Sequence, residues 1–278
     1  MTGTLAPAGL AGAFTRAHSE HRAALIGYLP AGFPTPRESV ALINAMVAAG
    51  VDIIEVGLPY SDPLMDGPDI QAAVDLALRA GTTTEVVLDT VAQVATAGAT
   101  AVVMTYWNPI ERYGVERFAE RLAAAGGCGV ITPDLTPEEA GPWITATATQ
   151  GLDRVFLVAP SSTDDRISVV ASVTSGFLYA ASTMGVTGAR SQVSSAAPAL
   201  VARARAVTDL PIAVGLGVST GEQAREVAGY ADGVIVGSAF VRRILTARDH
   251  ASAVGSVADL AAELAAGVRG VAGNRPSP

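Results

Sequence analysis

The chain contains no lysine: all 18 of its strong bases are arginine. A Schiff-base aldolase and a lysine-bound pyridoxal cofactor both need that amine, so neither chemistry can be carried by these residues. Any carbon–carbon cleavage here must run on acid–base catalysis. There is one cysteine, Cys128, so no intramolecular disulfide can form, and a reducing, cytoplasmic setting is expected. It lies in GCGVIT and reads as a small core residue of a buried strand. The three histidines, His18, His21 and His250, lack metal-ligand spacing, and no metal site is expected. No P-loop, no G-x-S-x-G elbow and no G-x-G-x-x-G after the first strand are found.

Charge is also scarce. Only 16% of residues are charged, and the net charge of −8 argues against nucleic acid or an anionic membrane as partner. A phosphorylated small molecule stays open, because backbone amides hold phosphate without net positive charge. The N-terminus has no basic start followed by an apolar block, so no signal peptide is expected. Segments 90–110 and 169–189 carry no charge over a membrane-spanning length, but Gly, Thr and Ser interrupt both, which predicts helix–loop–strand pieces.

What is abundant is apolar sequence, half of the 278 residues. One rhythm recurs in it: an Ala-rich helical stretch, a Gly near its end, then four to six apolar residues. VAAGVDIIEVG, TAGATAVVMT and VAGYADGVIVG are examples. Glycine closing a helix before a continuous apolar run marks a unit that feeds a buried parallel strand. About eight such strands are expected, at 24–29, 52–56, 101–105, 129–132, 154–158, 177–181, 212–214 and 233–236. That pattern predicts one α/β domain, a (β/α)8 TIM barrel over 1–278, with its site at the C-terminal strand ends. A doubly wound open sheet is the alternative. An extra N-terminal helix over 10–22 would cover the barrel bottom. Thr35-Pro36 should cap a helix whose Val40, Ile43 and Val47 line one face. A helix is expected from near Ile70, and residues 267–278 read as a frayed tail.

The strand ends collect the polar and glycine residues. Glu55 ends the second strand inside an apolar run, where its neighbours Ile53, Ile54 and Val56 offer it no partner. The loop beyond adds Asp62, Asp66 and Asp69. A carboxyl walled by apolar residues has a raised pKa and can donate as well as accept protons, which makes Glu55 and Asp66 candidates for general acid and base. Asp66 before Gly67-Pro68 equally suits an Asx-type turn. Gly188, Gly215, Gly217 and Gly237, with Ser238 opening the helix SAFVRRIL, suggest a phosphate cradle, though such glycines also make tight βα turns.

The stretch EVGLPYSDPLMDGP at 55–68 closely resembles the signature of the tryptophan synthase alpha subunit. The likeness continues in MTYWNP at 104–109, GVTG at 185–188, GLGVS at 215–219 and GS at 237–238, so it covers nearly the whole chain in order. After the first strand this chain has Pro30-Ala31-Gly32-Phe33-Pro34 where the family often has T-x-G-D-P. The resemblance implies retro-aldol cleavage of indole-3-glycerol phosphate to indole and glyceraldehyde 3-phosphate. It assigns proton transfer to Glu55, stabilisation of the cationic indolenine to Asp66, and placement of Glu55 to Tyr179. Tyr28 would lie beside the indole, Thr187 would contact Asp66 in a closing loop, and Gly188, Gly217, Gly237 and Ser238 would hold the phosphate. No cofactor is expected in this chain. The implied partner is a beta subunit carrying pyridoxal phosphate in an α2β2 assembly, with Pro59 and Asp62 near the interface. A phosphosugar isomerase or epimerase, a non-catalytic regulatory subunit and a stand-alone lyase are the competing readings.

Overall fold

The structure, a computed structural model, describes residues 9–181, 196–215 and 217–270. Nine parallel strands form one sheet: β1 (Ala24–Pro30), β2 (Ile53–Gly57), β3 (Thr100–Met104), β4 (Gly129–Ile131), β5 (Asp153–Val155), β6 (Leu157–Val158), β7 (Leu178–Ala181), β8 (Ile212–Gly215) and β9 (Gly233–Val236). Their order is β5-β4-β3-β2-β1-β9-β8-β7-β6. The two ends of that order are consecutive in the chain and separated only by Phe156, whose carbonyl accepts from the Tyr179 amide. The expected fifth strand therefore exists as two pieces: β5 pairs with β4, and β6 pairs with β7. The ring is an eight-stranded α/β barrel whose fifth strand changes partner midway.

Twelve helices are found among the described residues. They are α1 (Gly9–Ser19), α2 (Pro36–Ala48), α3 (Pro68–Arg79), α4 (Thr84–Thr96), α5 (Trp107–Tyr113), α6 (Val115–Ala124), α7 (Gly141–Gln150), α8 (Asp164–Val173), α9 (Ala197–Arg205), α10 (Gly221–Ala228), α11 (Ser238–Leu245) and α12 (His250–Arg269). Thr35 caps α2 as expected, its hydroxyl accepting from the Glu38 amide. The buried face of α2 is instead Ser39, Leu42, Ile43 and Met46. Val40 and Val47 are half-buried at its edges, because the apolar residues of this helix outnumber the positions that touch the sheet. α3 starts at Pro68, two residues before Ile70, since proline suits the first helical turn. α12 runs to Arg269, with Gly267 and Val268 buried, so the tail begins later than 267; residues 271–278 lie outside the described residues. α12 is long and apolar enough to span a bilayer by composition, but Val257, Leu260, Leu264 and Val268 pack into the core beside α2 and α10. Segment 90–110 divides into pieces of α4, β3 and α5, as expected.

Strand side chains alternate between two apolar layers. Leu25, Ile54, Val103, Val130, Val214 and Val234 face the surrounding helices. Ile26, Ile53, Val102, Ile131, Phe177, Ala213 and Ile235 fill the barrel interior, closed from below by Leu10, Ala13, Phe14 and Ala17 of α1. Cys128 stands just before β4 and is half-buried, its sulfur 3.7 Å from where a side chain on Gly9 would begin. At the same end, the Arg22 guanidinium donates to both Asp52 oxygens, at 2.6 and 2.8 Å, and the Leu25 amide adds a third bond at 2.8 Å.

Candidate active site

Two residues beyond each interior apolar position, the same inward alternation reaches the open end of the barrel. From Ile26, Ile53, Val102 and Phe177 it delivers Tyr28, Glu55, Met104 and Tyr179; from Ala213 and Ile235 it delivers Gly215 and Gly237. A pocket open to solvent sits on this layer. Tyr28, Glu55, Asp66, Tyr179, Gly217, Gly237 and Ser238 line it together with Met65, Ile70, Met104, Ile131, Leu157 and Ile235. Seven of the residues put forward from the sequence for catalysis, substrate or phosphate binding thus line one apolar cleft.

Glu55 is 3% exposed and stands opposite Tyr28 in the β1–β2 register. Its Oε2 is buried without a hydrogen-bond partner among the described residues. Burial, and then the neighbouring charge of Asp66, push its carboxyl up to about 8, so at neutral pH it holds its proton. Asp66 lies across the pocket at the end of the β2–α3 loop. Burial raises its carboxyl too, but the Tyr106 hydroxyl, 3.0 Å from Oδ1, opposes the rise. Its backbone carbonyl accepts from the Gln71 amide nitrogen at 2.6 Å. The site therefore holds two carboxyls in different surroundings, the arrangement that separates an acid from a base.

Tyr28 and Tyr179 flank Glu55, and burial drives both phenols well above their ordinary value. Each lies over a strand-end glycine. A Cβ on Gly57 would stand 2.5 Å from the Tyr28 hydroxyl, and one on Gly215 would collide with the Tyr179 hydroxyl. Glycine at 215 is what admits Tyr179. Gly217 does lie in the pocket wall, with φ 80°. Gly237 precedes α11, whose first residue, Ser238, lines the pocket; the first amides of a helix have no partner within it.

The other loop carboxylates lie elsewhere. Asp69 accepts from Arg242 of α11 at 2.6 Å, and Asp134, beyond β4, caps α5 by accepting from the Trp107 amide at 2.9 Å. Asp62 is exposed, whereas Pro59 is buried within the chain; Leu64 between them and Asp66 is 70% exposed. Thr187 and Gly188 lie outside the described residues. Sequence reading missed Tyr106 as a site residue. Tyr106 falls within MTYWNP at 104–109, and nothing in its spacing says that it reaches 40 residues back to Asp66.

Comparison with known proteins shows the family. The family model described as tryptophan synthase alpha chain matches residues 14–269. The tryptophan synthase alpha chain of Thermobifida fusca is 61% identical, over 92% of this chain and 96% of that one. That of Acidothermus cellulolyticus is 60% identical over the same shares. Among solved structures, tryptophan synthase of Mycobacterium tuberculosis superposes with a TM-score of 0.89 at 54% identity, covering 95% of this chain and 99% of that chain. Tryptophan synthase subunit alpha from Legionella pneumophila gives 0.85 at 30% identity, covering 93% and 97%. The chain belongs to the tryptophan synthase alpha chain family.

Proposed function

We propose that Glu55 and Asp66 carry out, as acid–base pair, the cleavage of indole-3-glycerol phosphate to indole and glyceraldehyde 3-phosphate, the reaction of this family. The observation that carries the assignment is the buried Glu55, its Oε2 without a hydrogen-bond partner among the described residues, facing Asp66 in an apolar pocket. Glu55 gives its proton to C3 of the indole ring, leaving a cationic indolenine. Asp66 stabilises that cation through the ring N–H. The resulting Glu55 carboxylate takes the proton from the adjacent side-chain hydroxyl, the carbon–carbon bond breaks, and its electrons return to the ring. Indole and the aldehyde leave, and Glu55 ends protonated as it began. Tyr179 holds Glu55 from β7, and Tyr28 lies against the indole. Met104, Ile131 and Leu157 keep that end of the pocket dry, which strengthens every charge interaction inside it.

Phosphate is assigned to the α11 N-terminus, with Gly217, Gly237 and Ser238, together with Gly188; Thr187 is assigned to closure over Asp66. Supporting the first part is the placement of Ser238, the first residue of α11, in the pocket wall. The whole chain is read as one catalytic domain, cytoplasmic, with no cofactor of its own. Its partner is a beta subunit that carries pyridoxal phosphate and consumes the indole in an α2β2 assembly. The lack of lysine agrees with the cofactor belonging to that partner. Exposed Asp62 and Leu64 support an interface on the loop after β2, where Pro59 shapes the turn from within.

Indole release from indole-3-glycerol phosphate by the full chain, with and without a beta subunit, tests this reading. Slow release that accelerates on adding the partner is expected. No release in either condition, with substrate bound, would leave a regulatory subunit as the better account.

A further inference from the structure

The Tyr106 hydroxyl is hydrogen-bonded to the backbone of the β2–α3 loop and to Asp66, and the directions are fixed by counting protons. The Met65 amide donates to its oxygen at 3.0 Å. A phenol has one proton, so that proton must go to the other neighbour, Asp66 Oδ1, also at 3.0 Å. Tyr106 is 4% exposed and its ring rests on Tyr60, with centroids 5.6 Å apart. The next residue, Trp107, is pinned through its amide by Asp134 from the end of β4. The donor is thus held from both sides before any substrate arrives. Among the described residues, Asp66 Oδ2 carries no side-chain or backbone hydrogen bond.

We propose that Tyr106 is a positioning residue for Asp66: its phenol keeps one carboxyl oxygen occupied and so reserves the other oxygen for the substrate's indole N–H. This rests on the role of Asp66 given above. The physical need is plain. A carboxylate in a largely apolar wall gains a proton unless something favours its charged form, and a protonated Asp66 would not stabilise a cation. The titratable groups facing it are Glu55 from β2, Tyr28 from β1 and Tyr106 itself, and the Asp69–Arg242 pair lies three residues along the chain. Glu55 and Tyr28 are neutral at pH 7 and Asp69 is already matched by Arg242. Tyr106 is the donor among them that touches the carboxylate.

Two measurements on the full chain test the proposal. The first is a carbon-13 carboxyl titration of Asp66, assigned by the signal missing from Asp66→Asn; it needs no turnover. In Tyr106→Phe the Asp66 titration should move about one pH unit upward, the loss of one hydrogen bond to a charged group. The second is the pH profile of kcat/KM for cleavage. Its acid limb should move up by the same amount while the basic limb stays, narrowing the bell, with about a tenfold loss on the acid side. Adding Tyr106→Phe to Asp66→Asn should cost nothing further. An unmoved Asp66 titration, a uniform rate loss with an unchanged bell, or an equal loss in the Asp66→Asn background would reduce Tyr106 to packing. Failure of the wild-type chain to cleave would instead count against the assigned reaction, leaving the titration to judge Tyr106.

Discussion

Tyr179 occupies the space that a side chain on Gly215 would need, and its hydroxyl lies where that Cβ would be built. The pair joins β7 to β8 across the pocket wall and sets the phenol beside Glu55. Gly215→Ala is predicted to force Tyr179 aside, costing about 1–3 kcal/mol as overpacking does and lowering turnover at least tenfold. In a Tyr179→Ala background the same change should cost nothing more, because the ring it strikes is gone. Urea unfolding of the two single variants and the double variant decides this; simple additivity would contradict it.

Glu55 links activity to stability. Its folded pKa of about 8 lies above the ordinary 4.5, so the folded chain binds more protons than the unfolded chain between those values. Stability from this group is full below about 4.5 and falls as pH rises through 8. Glu55→Gln should therefore be more stable than wild type at pH 8, by about 4 kcal/mol, a gain absent at pH 4.5. Chemical unfolding at the two pH values measures it. A variant less stable than wild type at pH 8 would mean that Glu55 has a charged partner.

At the opposite end of the barrel, Arg22 and Asp52 are 5% and 11% exposed and joined by two hydrogen bonds. Removing one member strands the other charge, so Arg22→Met should cost about 3–5 kcal/mol, the usual result of breaking a buried pair. Turnover per folded molecule should stay at the wild-type level, since the pair is remote from the pocket. A thermal melt read beside an activity assay on the folded fraction checks both halves.

Ser238 opens α11 in the pocket wall. Ser238→Asp would set a carboxylate where the helix end favours an anion, competing with the phosphate for the free amides. Inorganic phosphate binding should weaken at least tenfold while the fold is retained, as judged by calorimetry and circular dichroism. Unchanged phosphate affinity would move the phosphate site away from α11.

The barrel was legible because its signal is repetitive. Each apolar run after a helix-closing glycine became a parallel strand, and Glu55 stood out as a charge inside one of them. The split of the fifth strand at Phe156 was not legible, since it depends on which neighbours pair with the two halves. The true buried face of α2 was hidden for a related reason: Val40 and Val47 are as apolar as the core needs, and only the packed sheet selects Leu42 and Met46 over them. Tyr106 and the Arg22–Asp52 pair are contacts across 40 and 30 residues, which no local pattern encodes. Gly215 could be read as a turn or a phosphate cradle until the position of Tyr179 explained it.

The most direct test of the central claim is a single-turnover comparison of wild type and Glu55→Gln on indole-3-glycerol phosphate, with binding of the substrate measured alongside. The amide has nearly the shape of the protonated acid but cannot transfer the proton, so cleavage should fall by at least about a thousandfold, in the upper range for loss of a general acid–base group. Substrate affinity should stay close to wild type. Near-normal cleavage by Glu55→Gln would contradict the account and place the proton transfer on another residue.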